Sequence, residues 1–374
     1  MKISRNFIVK VAFVHDWLVT YRGGEKVLEA LLSLYPDAPI YTLFYKKEAM
    51  PASIRERTIV TPFGLGLFRK ARKLALPFFP SIIESFDFSE FDLLISTSSC
   101  VAKGIVPRKN TKHICYLHSP MRYIWDQQEE YIRGVQHIPG AASVIRSMSP
   151  RLRKWDVESA QRVDRFIVNS TFVGERCKEF YNRDSVVVHP PIETDRFNPS
   201  KHTTAAKPYY LAAGAFVSYK RFDLAINSCE KLGRKLIIAG SGPAENQLRK
   251  LAGPNTFFES SPSDARFVEL MAGAEALLFP GIEDFGMVAV EAMAAGTPVI
   301  AFDKGGARDF IVEGETGLFF RESSSESIAQ AIERFEKMTF NVDYLTKYAA
   351  GYGRDHFLKK MTREIKILLQ GERT

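Results

Sequence analysis

Two glutamates eight positions apart, Glu283 and Glu291, straddle a change from loop to helix in the stretch "LLFPGIEDFGMVAVEAMAAGTPVIAF" (277–302). An apolar run ending at Phe279 reads as a strand, Pro280-Gly281 as a turn, and a helix pattern starts near Gly286. The first amides of a helix have no partner within it, so a strand, a turn and a helix start in succession form a natural anion site. The amides of Phe285, Gly286, Met287 and Val288 would face that anion, and Gly286 lets a ligand approach the backbone closely. Glu291 lies in "MVAVEAMAAG", among neighbours that are nearly all apolar or small. A helix apolar on nearly all sides is buried, and a carboxylate inside it is costly unless bonded or paired. Two glutamates at this spacing are most often a solvated helix face; these surroundings argue otherwise. Phosphate on the amides and hydroxyls on the carboxylates would together describe a nucleotide sugar.

Other residues could share that chemistry. Lys220 and Arg221, in "SYKRFD", stand just after a strand pattern and just before a helix pattern. Adjacent cations there can neutralise the charge that builds on a departing diphosphate; the plainer reading is a pair of surface cations. Gly240-Ser241-Gly242-Pro243 reads as a tight turn. In the first half, Gly23 and Gly24 open a helix after a strand and a short loop, a weak form of a phosphate-binding turn. The full G-x-G-x-x-G spacing is absent, which weakens a dinucleotide reading. His15 and Asp16 end the first strand, and His118 ends the strand "HICYLH". A lone histidine is most often a satisfied polar residue.

The E-x7-E spacing, the following "AAGTPVIAF", and "GGARDFIVEGETGLFF" (305–320) resemble the retaining glycosyltransferases of family 4. Within that resemblance, "YYLAAGAFVSYKRFDLAI" and "FPGIEDFGMVAVEA" look most like a bacterial polysaccharide-assembly subgroup, many of whose members transfer mannose from GDP-mannose. The resemblance implies an α/β protein of the GT-B fold, with two Rossmann-like doubly wound domains facing across a cleft. It implies that Glu283 lies near the transferred sugar, as nucleophile or electrostatic stabiliser. It sets Glu291 on the ribose hydroxyls, and one carboxylate has two oxygens to accept both protons. Ser241 and Gly242 match a turn near the nucleotide. Gly23 and Gly24 belong to a loop that contacts the donor's phosphates or the acceptor. His118 matches a strand-terminal histidine beside the donor sugar, while His15 and Asp16 are lesser candidates on the acceptor side. Many relatives carry an arginine directly after the glycine that matches Gly214, and this chain has Ala215. Either Arg221 takes over part of that contact or the diphosphate is held less tightly.

The implied reaction is retaining transfer of a sugar, with mannose from GDP-mannose expected, to a lipid-linked saccharide in bacterial surface polysaccharide synthesis. A UDP-sugar-dependent transferase of the same family is the alternative within the class. A catalytically silent nucleotide-sugar-binding subunit is the alternative outside it. A nicotinamide-dependent dehydrogenase is disfavoured by the missing fingerprint. Neither a cofactor nor a metal is expected, because no D-x-D motif falls in a suitable loop. Other polysaccharide-assembly enzymes are possible partners.

Composition agrees. At 374 residues two domains are expected, and 45% hydrophobic content suits a globular chain. The expected domains are 1–198, 207–350 and a returning C-terminal helix within 351–374, with a linker across Pro190 to Pro208. The four cysteines are far apart, without C-x2-C spacing, and read as reduced. "FIVKVAFV" is broken by Lys10 and lacks a small-residue cleavage site, so it reads as a strand and not a signal peptide. The net charge of +8 allows anionic partners, but no nucleic-acid-reading motif is present. Between Thr61 and Pro80 the cations Arg69, Lys70, Arg72 and Lys73 would face away from an apolar stripe of Leu67, Phe68, Ala71, Leu74, Ala75 and Phe78 on a helix. Such a segment suits an anionic membrane surface. The expectation is a cytoplasmic protein, peripheral at the inner face of the cell membrane.

Overall fold

The computed structural model describes residues 9–62, 75–126, 128–133, 140–197 and 209–371. The chain divides into two units, Met1–His189 with Leu358–Thr374, and Pro190–Phe357. Each is built on one all-parallel sheet.

In the first unit the strands are β1 (Val11–His15), β2 (Ile40–Thr42), β3 (Ile59–Val60), β4 (Leu93–Ser98), β5 (Lys112–Leu117), β6 (Arg165–Val168) and β7 (Ser185–Val187). They pair in the order β3-β2-β1-β4-β5-β6-β7. The central strands are buried along nearly their whole length, as in a sheet covered on both faces, and β4 and β5 carry buried polar residues as well as apolar ones. In the second unit the strands are β8 (Tyr210–Ala215), β9 (Leu236–Ser241), β10 (Thr256–Ser260), β11 (Ala276–Phe279), β12 (Val299–Phe302) and β13 (Gly317–Phe320), in the order β10-β9-β8-β11-β12-β13. Alternate side chains divide its core in two. Tyr210, Ala212, Leu278 and Ile300 pack with Ile226 and Ile332 of the helices Phe222–Leu232 and Ser325–Phe335. Leu211, Ala213, Leu277 and Val299 pack with Val290, Met293 and Leu345 of the helices Met287–Ala294 and Val342–Ala350.

Both sheets wind outward in two directions from a central pair, β1 with β4 and β8 with β11. Connections leave those neighbouring strands in opposite directions, which opens a crevice beyond their carboxyl ends. The loops after β1, β4, β8 and β11 are therefore the places where each unit can build a site.

Several elements have no counterpart in the sequence reading. The 20-residue helix Ala141–Ala160 carries Pro150 inside it, a residue that breaks the expected pattern because it lacks an amide proton. Strand β10 is an edge strand with Phe257 49% exposed, so its residues do not read as a buried run. The helices Thr171–Tyr181, Asp264–Ala272 and Val342–Ala350 and the short strand β13 were likewise not expected. Part of the expected linker is built into the second unit, where the Ile192 amide donates to the Tyr352 carbonyl at 2.9 Å; residues 198–208 lie outside the described ones. The last helix, Arg354–Gln370, passes into the first unit from Leu358 onward, where Arg165 and Glu364 form an ion pair at 2.5 Å. No helix among the described residues is long and apolar enough to cross a membrane.

Candidate functional site

The second unit brings a cation and a carboxylate together at its central strand pair. Strand β8 ends at Ala215 and runs into a single 3-10 turn, Ser218–Lys220. Strand β11 ends at Phe279 and runs into the Pro280-Gly281 turn and Glu283. Lys220 Nζ lies 2.5 Å from Glu283 Oε1, with side chains only 10% and 18% exposed. The approach depends on Gly214, whose φ is +130°. A Cβ there would lie 2.9 Å from Lys220 Nζ, so any larger residue would push the ammonium aside. A charge-assisted bond with little exposure to water is stronger than one between neutral groups.

The helix Met287–Ala294 starts immediately beyond that pair. Gly286 precedes it in the left-handed region, at φ 101°, and no side chain caps it. The amides of Met287 and Val288 belong to the first turn, whose donors have no intrahelical acceptor. One and a half turns on, Glu291 is buried at 8% exposure, between Val290 and Ala292 at 0%. The apolar surroundings expected from sequence are thus real, and the glutamate lies in the helix that begins four residues after Glu283.

The neighbouring candidates behave differently. Arg221 adopts φ 52°, ψ 38° and turns its guanidinium to Asp223, at 3.0 Å, and to Ser323 Oγ, at 3.1 Å. It is engaged with those two side chains, while Lys220 alone of the adjacent cations meets Glu283. Ser241 is exposed at the end of β9, and its carbonyl accepts the Phe216 amide at 2.9 Å, tying the turn at Gly242 to the end of β8.

The first unit builds its own constellation at β1 and β4. His15 is buried, its Nδ1 2.6 Å from Thr97 Oγ1 and its Nε2 3.9 Å from Glu25 Oε1. Glu25 lies in the first turn of the helix Gly23–Leu32 and accepts the Arg22 amide at 2.9 Å. Burial pushes the Glu25 carboxyl up, but His15 and the amides of Glu25 and Arg22 together outweigh it, and its pKa falls below the ordinary value. His118 follows β5. Its Nε2 is shut off from solvent without a hydrogen-bond partner among the described residues, although the residue as a whole keeps some exposure. Burial first, then the neighbouring His15, lower its pKa to about 3, against an upward pull from Glu25; it is neutral at neutral pH. A Cβ on Gly24 would lie 3.6 Å from His118 Nε2 and 3.8 Å from His15 Cε1. The start of the Gly23–Leu32 helix is therefore walled by two imidazoles.

Asp16 has a different position. Its carboxylate accepts the amides of Ser99, Cys100, Val101 and Ala102 at 2.6–2.9 Å, and the Ser99 hydroxyl at 3.2 Å. Five donors use every lone pair the group offers. Asp16 staples the loop after β1 to the loop after β4.

Residues 23–196 match the family model described as Glycosyltransferase Family 4, and residues 193–351 match the one described as Glycosyl transferases group 1. Over 96% of this chain and 99% of the other, the structure is similar to Anabaena HepE in complex with UDP, with a TM-score of 0.69 at 16% identity. It is similar to the lipopolysaccharide outer core galactosyltransferase WaaB over 95% of this chain and 98% of that one, with a TM-score of 0.66 at 17% identity. The chain has the GT-B fold, and its two halves each match a glycosyltransferase family model. The D-inositol 3-phosphate glycosyltransferase of Mycobacteroides abscessus is 29% identical over 51% of this chain and 46% of its own length. That of Mycolicibacterium smegmatis is 31% identical over 41% of each. The chain spans about half the length of the curated relatives it matches.

In this GT4-like chain, sequence reasoning missed two features of the site. Glu25 carries no local signal, and only the folding of its helix back against β1 sets it beside His15. Gly305 and Gly306 appeared in the sequence only as part of a resemblance. The Gly306 amide donates to the Glu283 carbonyl at 2.9 Å, and a Cβ on Gly306 would lie 2.4 Å from Phe285 Cα, so this close packing fixes the loop that carries Glu283. A glycine pair directly after a buried strand was the available signal. The basic cluster Arg69, Lys70, Arg72 and Lys73 lies outside the described residues.

Proposed function

We propose that this chain transfers a sugar from a nucleoside diphosphate donor to a saccharide acceptor with retention of configuration. One observation carries the reading: Lys220 and Glu283 meet at 2.5 Å beyond the central strands of the second sheet, beside the uncapped amino end of the Met287–Ala294 helix. The reaction's electrostatic problem is the charge left on the departing diphosphate. Lys220 and the amides of Gly286, Met287 and Val288 are fixed donors aimed at such a charge before it develops. Glu283 accepts hydroxyls of the sugar being transferred, and Glu291 those of the ribose. The leaving phosphate then serves as the base for the acceptor hydroxyl on the same face.

The donor in this reading is GDP-mannose, as the sequence resemblance suggests. A UDP-sugar is the second reading, favoured by the similarity to HepE, which has been solved with UDP-glucose. The acceptor is a lipid-linked saccharide at the inner face of the membrane, supported by the basic apolar sequence between Thr61 and Pro80. Calorimetric titration with GDP-mannose, UDP-glucose and NADH, followed by turnover of labelled donor with lipid-linked acceptor, tests it. Binding of a sugar nucleotide and release of its nucleoside diphosphate are expected. Binding without turnover would favour the silent subunit, and binding of NADH alone would overturn the proposal.

A further inference from the structure

Lys220 and Glu283 are bonded to each other, yet each is also the group that a donor would engage. Among the described residues neither side chain makes another hydrogen bond or ion pair. The backbone segments that carry them are closely packed. A Cβ on Gly281, in the loop leading to Glu283, would lie 2.8 Å from Lys220 Cα, and Gly306 holds the Glu283 carbonyl from the other side. Exchange of partners is therefore a matter of side-chain movement within a fixed frame. An arriving diphosphate must take Lys220 from Glu283. A complete donor brings hydroxyls that give the released carboxylate new hydrogen bonds. A bare nucleoside diphosphate brings none, and leaves a part-buried carboxylate without a donor, which costs binding free energy.

We propose that Glu283 is a built-in competitor for the cation that holds the diphosphate, so that the site discriminates in favour of the sugar-bearing donor and against the spent nucleoside diphosphate. This rests on the function proposed above and adds a role in product release to the carboxylate's contact with the sugar. Replacing the carboxylate by an uncharged group frees Lys220 for phosphate in every ligand, but weakens hydroxyl acceptance only for the donor. The two affinities should then converge.

The test is calorimetric titration of the wild type and Glu283→Gln with GDP and UDP, and with GDP-mannose and UDP-glucose. Glu283→Gln should bind the nucleoside diphosphate about tenfold tighter than the wild type, with a much smaller change for the sugar nucleotide. In a Lys220→Met background the same substitution should give no tightening, which a general loosening of the fold would not reproduce. Glu283→Ala should move the affinity in the same direction, which guards against a fault peculiar to the glutamine. Equal or weaker binding of the nucleoside diphosphate by folded Glu283→Gln and Glu283→Ala overturns the inference while leaving the proposed function standing. If the wild type binds neither nucleotide nor sugar nucleotide, the proposed function fails and this inference with it.

Discussion

Glu283 and Lys220, 63 residues apart in the chain, are joined by a 2.5 Å bond at the carboxyl ends of neighbouring parallel strands. Neither residue type is unusual for its loop. The sheet order makes them a pair, because β8 and β11 are the two strands from which the second sheet winds outward. The chemistry of the site follows from that topology.

Glu291 offers the simplest test of the nucleotide end. Glu291→Gln keeps the volume and removes the charge and one acceptor. Binding of the nucleoside diphosphate should weaken about thirtyfold, since a bond to a charged group is worth about 2 kcal/mol. Titration calorimetry reads this directly, and an unchanged affinity would remove Glu291 from the site.

The loop carrying Glu283 should be sensitive to bulk behind it. In Gly306→Ala the new Cβ would meet Phe285 Cα at 2.4 Å and the Asp284 carbonyl oxygen at 2.5 Å. Backbone cannot yield as a flexible side chain does, so a loss of about 1–3 kcal/mol of stability is expected. Transfer activity should fall with it, because Glu283 and the amides after it shift together. Urea denaturation and turnover measured on the same preparation check both.

Asp16 should act on stability more than on ligand binding. Asp16→Asn loses the charge that four amides and a hydroxyl share, and should cost about 3 kcal/mol. A midpoint of unfolding close to that of the wild type would show that the staple between the loops after β1 and β4 is weaker than its geometry implies.

Stability should also fall in mild acid. Burial lowers the pKa of both His113 and His118 to about 3 in the folded chain, against an ordinary value near 6.5. Between those values the unfolded chain binds protons that the folded chain does not, so stability rises with pH there and is lost as pH falls from 6.5 toward 3. Each imidazole contributes up to about 1.4 kcal/mol per pH unit within that window. His118→Asn should make the decline between pH 6 and pH 4 shallower by about that amount. Chemical denaturation at several pH values measures the slope, and an unchanged slope would mean that His118 is protonated in the folded state.

Much of the site was legible before any coordinates. The E-x7-E spacing and the apolar neighbours of Glu291 identified a buried carboxylate in a helix that starts just past a strand, because periodicity and burial are local properties of sequence. The partner of Lys220 was not legible, since it depends on which strands lie side by side. Asp16 and Glu25 were obscured for the same reason. Each acquires its role from tertiary placement, Asp16 from the segment after β4 and Glu25 from the packing of its helix against the end of β1. Arg221 shows the limit of reading adjacent cations as a team, because a left-handed residue between a 3-10 turn and a helix directs its side chain to Asp223 instead. The long helix Ala141–Ala160 was hidden by Pro150, whose cost the rest of that helix outweighs.

A crystal structure of the protein with GDP-mannose or UDP-glucose bound tests the central claim most directly. The diphosphate should rest on Lys220 and on the amides of Gly286, Met287 and Val288, with the ribose hydroxyls on Glu291 and Glu283 turned from Lys220 toward the sugar. A sugar nucleotide bound elsewhere, with the Lys220–Glu283 bond intact and Glu291 untouched, would contradict the account.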